Sequence, residues 1–252
     1  MHAWTAWGVD RHHDAVMLHH LRRTPAHAHL VLMLALTFTT GVVDAVGYLG
    51  LDRVFTANMT GNVVVLGMAL AGADDLPVLG PAIALAGFFV GAVLGGRLVR
   101  KGPTGWGRRS TVGFTLTGAT ATALGAAALV HPPVEHTTWA FTVTGVLAVA
   151  MGLQAAVARR LAVKDVTTVV VTSTLTGLAA DSQLAGGDGQ HWPRRLLAVV
   201  LILLGACVGA LLVKSGEHGV GAGLLLAGLL SLGVTTFGHT VRDADRPEPA
   251  AV

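Results

Sequence analysis

Residues 54–71 read VFTANMTGNVVVLGMALA, a stretch that is shorter and more polar than the apolar runs on either side of it. A related stretch, residues 166–180, reads VTTVVVTSTLTGLAA. Its 15 residues would extend about 22 Å as a helix, whereas the hydrocarbon core of a bilayer is about 30 Å thick. Threonine, asparagine and glycine also loosen helices. We therefore predict that both stretches enter a membrane and turn back instead of crossing it.

Six longer apolar runs surround these two stretches. Hydrophobic residues make up 52% of the 252-residue chain and charged residues only 12%, whereas a soluble domain carries roughly 25% charged residues. A helix of about 20 apolar residues spans the hydrocarbon core. The sequence therefore predicts an all-α membrane protein with six transmembrane helices, at residues 30–49, 79–98, 111–130, 139–157, 196–213 and 220–238.

The positions of the basic residues favour turning back over crossing. The chain has 17 lysines and arginines, and cytoplasmic loops are enriched in these residues. If both short stretches turn back and the N-terminus is cytoplasmic, 15 of them are inside and only Arg53 and Lys214 are outside. If both stretches cross, the better orientation leaves 10 inside and 7 outside. We therefore predict that both termini are cytoplasmic.

The two halves of the chain resemble each other. Before the clearest matches, Asp44-Ala45 corresponds loosely to Gln154-Ala155. Four closer matches then follow in the same order: TANMTG at 56–61 with TSTLTG at 172–177, LAGAD at 70–74 with LAGGD at 184–188, GAVLG at 91–95 with GACVG at 205–209, and LVR at 98–100 with LVK at 212–214. The sequence predicts an internal repeat. The paired glycines at 91, 95, 205 and 209 are typical of close helix packing.

Each repeat contains three crossings, and because three is odd the second repeat must be inverted relative to the first. Inverted repeats with broken helices recur in secondary transporters, although a gene duplication that serves only the fold is an alternative. We predict one transmembrane domain at 29–240, with repeats at 29–130 and 138–240. A disordered, His-rich leader at 1–28 precedes it and a polar tail at 241–252 follows it.

Two motifs resemble the YoaK family of bacterial membrane proteins, a family also known as a domain of unknown function. The first is TGVVDAVGY at 40–48 followed by FTANMTGN at 55–62, and the second is MGLQ at 151–154 with TSTLTG at 172–177. The resemblance covers roughly residues 30–240. It implies a small multi-pass protein of the bacterial inner membrane and no established reaction or substrate.

Asp44 is the only acidic residue within a predicted transmembrane helix. Charged groups in a membrane are costly and usually face the bundle interior or a water-filled cavity. We predict that Asp44 and Gln154 flank a solute pathway lined by Thr56, Asn58, Thr60, Gly61 and Asn62 of the first short stretch and by Thr172, Ser173, Thr174, Thr176 and Gly177 of the second. The alternative is structural: Asp44 accepts hydrogen bonds from the loosened backbone, and the threonines cap broken helices.

We predict a secondary transporter or channel for a small solute. The alternative is a membrane scaffold or accessory subunit that transports nothing, which should have a tight apolar centre without a cavity. Sequence motifs of hydrolases, zinc proteases and nucleotide-binding enzymes are missing, so we expect no enzyme and no cofactor. We interpret the loop HPPVEH at 131–136 as solvated, with a metal site as the alternative. The lipid bilayer and further copies of this chain are the expected partners, and nucleic acid is not.

Overall fold

The computed structural model describes residues 25–73, 75–101, 106–161, 171–187 and 192–244. Within these ranges six helices are long and apolar enough to cross a membrane, two helices are short, and no strand occurs. The predicted all-α membrane fold is therefore confirmed. The α-helices are α1 Pro25–Gly50, α2 Met59–Leu70, α3 Leu79–Val99, α4 Arg108–Val130, α5 Thr138–Leu161, α6 Val171–Ala180, α7 Trp192–Lys214 and α8 Gly219–Ala244, with a 3-10 helix at Gln183–Ala185.

The outer boundaries of the helical region differ from the prediction. Helix α1 begins at Pro25, inside the predicted leader, because proline is tolerated in the first turn, where a backbone N–H has no helical partner. Helix α8 continues to Ala244, inside the predicted tail, since no proline or glycine interrupts it between residues 239 and 244. The predicted disorder at 1–24 and 245–252 lies outside the described residues, as does the start of the second short stretch at 166–170.

Glycines that touch a neighbouring backbone give the directions of the packed helices. On α7, Gly205 lies against the carbonyl oxygen of Phe38, and Gly209, one turn later, lies against that of Val42. The residue numbers rise together, so α1 and α7 run parallel. A Cβ atom at either glycine would collide with the backbone of α1, and the predicted packing role of this glycine pair is confirmed.

The equivalent glycines of the first half repeat this arrangement. On α3, Gly91 lies against the backbone of Val149, and Gly95 lies against that of Leu153. Helices α3 and α5 therefore run parallel, as α7 and α1 do. In both pairs a helix from one half packs against a helix from the other half. The two halves are therefore interlocked and do not form separate bundles.

Helices α4 and α8 run in opposite directions. Gly118 of α4 contacts Leu232 of α8, and Gly125, two turns later, contacts Leu225, so the residue numbers fall on α8 as they rise on α4. Helices α1 and α8 are also antiparallel, since Gly50 contacts Val220 and Gly223 contacts Val46. Helices α4 and α5 form a third antiparallel pair. In it Gly113 contacts Val157, and the Thr117 hydroxyl donates to the Ala150 carbonyl oxygen.

These directions establish the inverted repeat. Helix α8 is antiparallel to α1, and α4 is antiparallel to α8, so α4 runs in the same direction as α1. Helix α5 is antiparallel to α4, and α3 is parallel to α5. Helix α3 is therefore antiparallel to α1. Helix α1 therefore ends on the same face of the bundle on which α3 begins, and α2 leaves and returns to that face. Helix α5 ends and α7 begins on the opposite face, so the part of the chain that contains α6 also returns to the face that it left. Helix α5, which begins the second half, is antiparallel to α1, which begins the first.

The packing also sets the register between the two halves. Gly41 of α1 lies against Ile202, and Gly152 of α5 lies against Phe88, so these two glycines occupy equivalent positions. With these two glycines aligned, Asp44 is equivalent to Ala155 in the other repeat, and Gln154 is equivalent to Val43. The loose sequence match of Asp44 with Gln154 is therefore wrong by one residue. The sequence around Asp44 and Gln154 does not define the alignment of the two repeats to one residue, whereas the glycine contacts in the structure do.

The outward faces of the bundle are apolar. In the most apolar stretch of α1, 67% of the residues are buried, whereas the corresponding values are 22% for α3 and 17% for α7. Large apolar side chains such as Phe89 and Leu211 are exposed on these two helices. Such a surface matches hydrocarbon and not water. Helix α1 is therefore the central helix, while α3 and α7 offer much of their surface to lipid.

We expect Gly91→Ala to lower the thermal unfolding temperature of the purified protein, because the new methyl group would collide with the backbone of Val149. Overpacking of this kind typically costs about 1–3 kcal/mol. Gly96→Ala on the same helix is the matched control, since a Cβ atom there meets nothing within 4 Å. It should leave the unfolding temperature unchanged or slightly higher. Equal melting of the two variants would contradict the α3–α5 packing.

We expect single cysteines at Ala73 and Leu184 to react with a membrane-impermeant maleimide from opposite sides of the membrane. Both residues are exposed and follow the two short helices. The background variant replaces Cys207, the only cysteine of the chain. A cysteine at Glu217, between α7 and α8, is the control and should label from the same side as Ala73. Labelling of positions 73 and 184 from one side would contradict the inverted topology.

Candidate functional site

The chain folds back on helix α1 directly after that helix ends. The backbone N–H groups of Leu51 and Val54 both donate to the carbonyl oxygen of Gly47, at 3.1 and 3.4 Å. Gly47 allows this approach because a Cβ atom there would lie 2.5 Å from the Val54 carbonyl oxygen. The residues that follow Val54 therefore run beside the last turns of α1 without forming a helix.

The Asp44 carboxylate holds this non-helical backbone in place. Its Oδ1 atom accepts hydrogen bonds from the backbone N–H groups of Thr56 at 3.0 Å, Ala57 at 2.8 Å and Asn58 at 3.4 Å. These residues lead directly into α2, where an acceptor or negative charge compensates N–H groups that have no helical partner. The structural role that the sequence left open for Asp44 is therefore observed.

Two asparagines complete this folded segment. The buried Asn62 side chain accepts from the Phe55 N–H at 2.9 Å and donates to the Phe55 carbonyl oxygen at 2.6 Å. Asn58 is the N-cap of α2, and its side chain accepts from the Gly61 N–H at 3.4 Å. A Cβ atom added at Gly61 would lie only 2.6 Å from the ring of Phe55. Residues 55–62 therefore form one hydrogen-bonded unit beside α1.

A cavity of about 600 Å³ lies between this unit and the second half of the protein. Its wall includes polar residues of the first half and, from the second half, the start of α6 and a side chain of α7. The lining residues that bear on function are Thr40, Asp44, Tyr48, Asn58, Thr60, Gly61, Val171, Thr172 and Ile202.

Only some of the predicted pathway residues lie on this cavity. Asp44, Asn58, Thr60, Gly61 and Thr172 line it. Thr56 and Asn62 are fully buried behind the wall, and Gln154 is buried within α5.

The remaining predicted residues of α6 point elsewhere. Thr174 is buried, and the hydroxyl of the exposed Thr176 donates to the Thr172 carbonyl oxygen of its own helix at 2.9 Å. Gly177 packs against the guanidinium group of Arg195. Ser173, predicted with them, is exposed and is not part of the cavity wall. Only the beginning of α6 therefore reaches the cavity.

Sequence reasoning did not identify Thr40 and Tyr48 as site residues. Thr40, Asp44 and Tyr48 are spaced four residues apart, so they share one face of α1, and all three line the cavity. The ring of Tyr48 stacks on Phe55, with 4.9 Å between the ring centroids. Spacing of four residues from the single intramembrane acid was the signal that would have found them.

The cavity offers one acidic group among hydroxyls, amides and rings. Asp44 uses only Oδ1 to hold the backbone. Within the described ranges its second oxygen, Oδ2, makes no hydrogen bond. No lysine, arginine or histidine is found among the lining residues that the structure describes. The site can therefore accept hydrogen bonds from a solute or bind a cation, and one carboxylate can support the fold and contact a solute at once.

Comparisons with known proteins cover the same region. A family model described as "Protein of unknown function (DUF1275)" matches residues 32–237. The chain is 29% identical over 192 residues to the UPF0700 transmembrane protein YoaK of Bacillus subtilis (strain 168), which covers 74% of this chain and 83% of that relative. No solved structure matches the chain. The matched region begins in α1 and ends in α8, so it includes both short helices.

We expect Asn62→Ala to destabilise the protein by roughly 2–4 kcal/mol, because the N–H and carbonyl groups of Phe55 would both lose their partner and a buried unpaired polar group costs about 1–3 kcal/mol. Thermal unfolding in detergent measures this effect. Thr176→Ala is the control, since that hydroxyl is exposed and bonds only within its own helix. Unchanged stability of Asn62→Ala would contradict the bonded unit at 55–62.

Proposed function

We propose that the chain is a secondary transporter or channel for a small solute. It belongs to the DUF1275 family of proteins of unknown function, as its resemblance to the YoaK family predicted. The observation that carries the proposal is the cavity between the two inverted halves, whose wall includes Asp44 with a carboxylate oxygen, Oδ2, that bonds to none of the described residues. Non-helical backbone at membrane depth persists where it is buried in protein or lines a cavity. Of residues 55–58, Phe55, Ala57 and Asn58 line the cavity, and Thr56 is buried in the protein.

The charge of the cavity wall narrows the class of solute. Among the described residues of the wall, Asp44 is the one carboxylic acid, and none of them carries a basic side chain. An anion would therefore meet a carboxylate without compensation in a medium of low dielectric constant. A neutral or positively charged solute would instead gain a hydrogen bond or an ion pair. Tyr48 and Phe55, stacked at the same wall, add aromatic surface that favours organic cations.

The inverted symmetry supports transport over a purely structural role. In transporters with inverted repeats the solute site lies near the middle of the membrane between the repeats, and the two halves exchange conformations. A scaffold should instead have a tight apolar centre at this place. No nucleotide-binding motif is present in the sequence, so an ion or solute gradient would drive any uphill movement. A single carboxylate also lacks the acid, base and nucleophile of an enzyme.

The distribution of basic residues supports an orientation in the bacterial inner membrane. The face on which α1 begins also carries the end of α3 and the start of α4, with Arg97, Arg100, Lys101, Arg108 and Arg109. The end of α5 and the start of α7 add Arg159, Arg160, Arg194 and Arg195 on that face. Of the basic residues in the described ranges, only Arg53 and Lys214 lie toward the opposite face. By the positive-inside rule the first face is cytoplasmic.

The test begins with a thermal-shift screen of the purified protein against inorganic cations, amines, amino acids, sugars and nucleobases. A ligand of the folded state raises apparent stability by mass action. Compounds that stabilise the protein are then measured for flux into proteoliposomes. We expect Asp44→Asn to lower flux at least about tenfold, equivalent to about 1.4 kcal/mol of lost interaction.

The asparagine keeps an oxygen for the backbone amides, so Asp44→Asn should remain folded and reconstitute like the native protein. Thr176→Ala, outside the cavity, is the control and should transport normally. Full flux through Asp44→Asn would contradict the site, and the absence of flux for every stabilising compound would favour the scaffold.

A further inference from the structure

A second cavity, of about 320 Å³, lies on the face of the bundle on which α1 ends. Three loops meet there: the turn after α1, the connection between α2 and α3, and the linker between the two repeats. The lining residues are Asp52, Arg53, Asp75, Leu76, Pro77, Glu135 and His136. Three of the seven carry carboxylates, and one carries an imidazole.

We propose that Asp52, Glu135 and His136 bind a divalent transition-metal ion, with Zn²⁺ as the best match. One carboxylate oxygen from each acid and one imidazole nitrogen lie within 4.8 Å of one another. Imidazole and carboxylate together suit Zn²⁺ and its neighbours, whereas Mg²⁺ and Ca²⁺ prefer oxygen ligands alone. Three protein ligands leave the fourth position of a tetrahedral site to water.

The closest pair of these atoms already has the separation of two metal ligands. His136 Nδ1 lies 3.2 Å from Asp52 Oδ1. Two ligands at about 2.0–2.1 Å from a tetrahedral zinc ion are roughly 3.3 Å apart. The Glu135 side chain is exposed, so it can rotate toward the ion with little resistance. The site therefore needs only a side-chain adjustment to close.

The unpaired oxygen of Asp52 is the observation that points to a ligand. Only 1% of the Asp52 side chain is exposed. Its Oδ1 atom accepts from the backbone N–H of His136 at 2.8 Å, while its buried Oδ2 atom has no hydrogen-bond partner among the described residues. A buried carboxylate oxygen without a partner costs several kcal/mol. A cation held between the Asp52 carboxylate and His136 would compensate the charge of that carboxylate.

The backbone around the cavity is strained as well. Within the described ranges, the non-glycine residues with positive φ angles are Asp52 at 41°, Arg53 at 51°, Asp75 at 59° and His136 at 62°, and all four line this cavity. Each such conformation costs about 1–2 kcal/mol. Strain of this kind persists where the surrounding structure over-determines it, commonly at ligand-binding sites.

The neighbouring charges are compatible with a cation. Arg53 is the basic residue of the wall, and its guanidinium group donates to the Asp75 carbonyl oxygen at 3.0 Å, which holds it against the α2–α3 connection. The carboxylates of Asp52, Asp75 and Glu135 outnumber it. Asp52 follows α1 in the first half, and Glu135 and His136 belong to the linker, so a bound ion would join the end of α1 to the linker between the halves.

The experiment measures zinc binding to the full-length, EDTA-treated protein by calorimetry and by thermal unfolding. We expect Zn²⁺ to bind and to raise the unfolding temperature, while Mg²⁺ at the same concentration does neither. Glu135→Gln should lower the Zn²⁺ affinity, measured from the zinc-dependent rise in unfolding temperature, at least about tenfold. It removes a charged ligand, and even the loss of a group that only orients a ligand costs about 10–100-fold. Its unfolding temperature without metal should equal that of the native protein, because Glu135 is exposed.

One control variant separates this site from other zinc ligands. Glu217→Gln changes another acid near the same face, between α7 and α8, and should bind Zn²⁺ like the native protein. Zinc held by the His-rich leader would persist in both variants and would not depend on Glu135. If Glu135→Gln and Asp52→Asn keep the full zinc-dependent stabilisation, the Asp52–His136 contact is an ordinary ion pair and the proposal is wrong.

Discussion

The hydrogen bonds from three consecutive backbone amides to Asp44 are the interaction on which the rest of the structure depends. Non-helical backbone in a membrane requires partners for its N–H groups, because hydrocarbon offers none. Asp44 supplies one oxygen for Thr56, Ala57 and Asn58 together. This allows the chain to leave α1, fold beside it and begin α2 without crossing. A costly acid inside a helix is thereby used to stabilise an otherwise costly loop.

The same loop creates the asymmetry of the cavity. Glycine contacts place α1 on α7 and α3 on α5 in matching ways, so the helical frame of the two halves is closely symmetric. The polar groups do not follow this symmetry, since Ala155 stands where the first half has Asp44. One half therefore contributes the carboxylate and the capped helix, and the other contributes Val171, Thr172 and Ile202 to the opposing wall.

Sequence reasoning succeeded where the signal is local or summed over many residues. The six long helices, the return of the first short stretch and the inversion agree with the structure because hydropathy, length and charge each depend on the chain alone. It could not predict features that depend on which helices pack against each other. Gln154 was paired with Asp44 by a loose match, and Thr174, Thr176 and Gly177 were grouped by type, although a helix turns successive side chains to different sides. Asp52 attracted no notice because burial of its side chain follows from the linker that packs over it.

By itself, the sequence determined the membrane class and the number of long apolar helices, because a hydrocarbon core admits few lengths and compositions. The positions of the basic residues predicted that the helices alternate in direction. Only the tertiary structure decided which polar side chains meet. Asp44 joins Thr172 across a cavity, and Asp52 joins His136 from the linker, through the packing of helices that are distant in the chain. Close backbone contacts at glycines set that packing to within one residue, a precision that no hydropathy pattern carries.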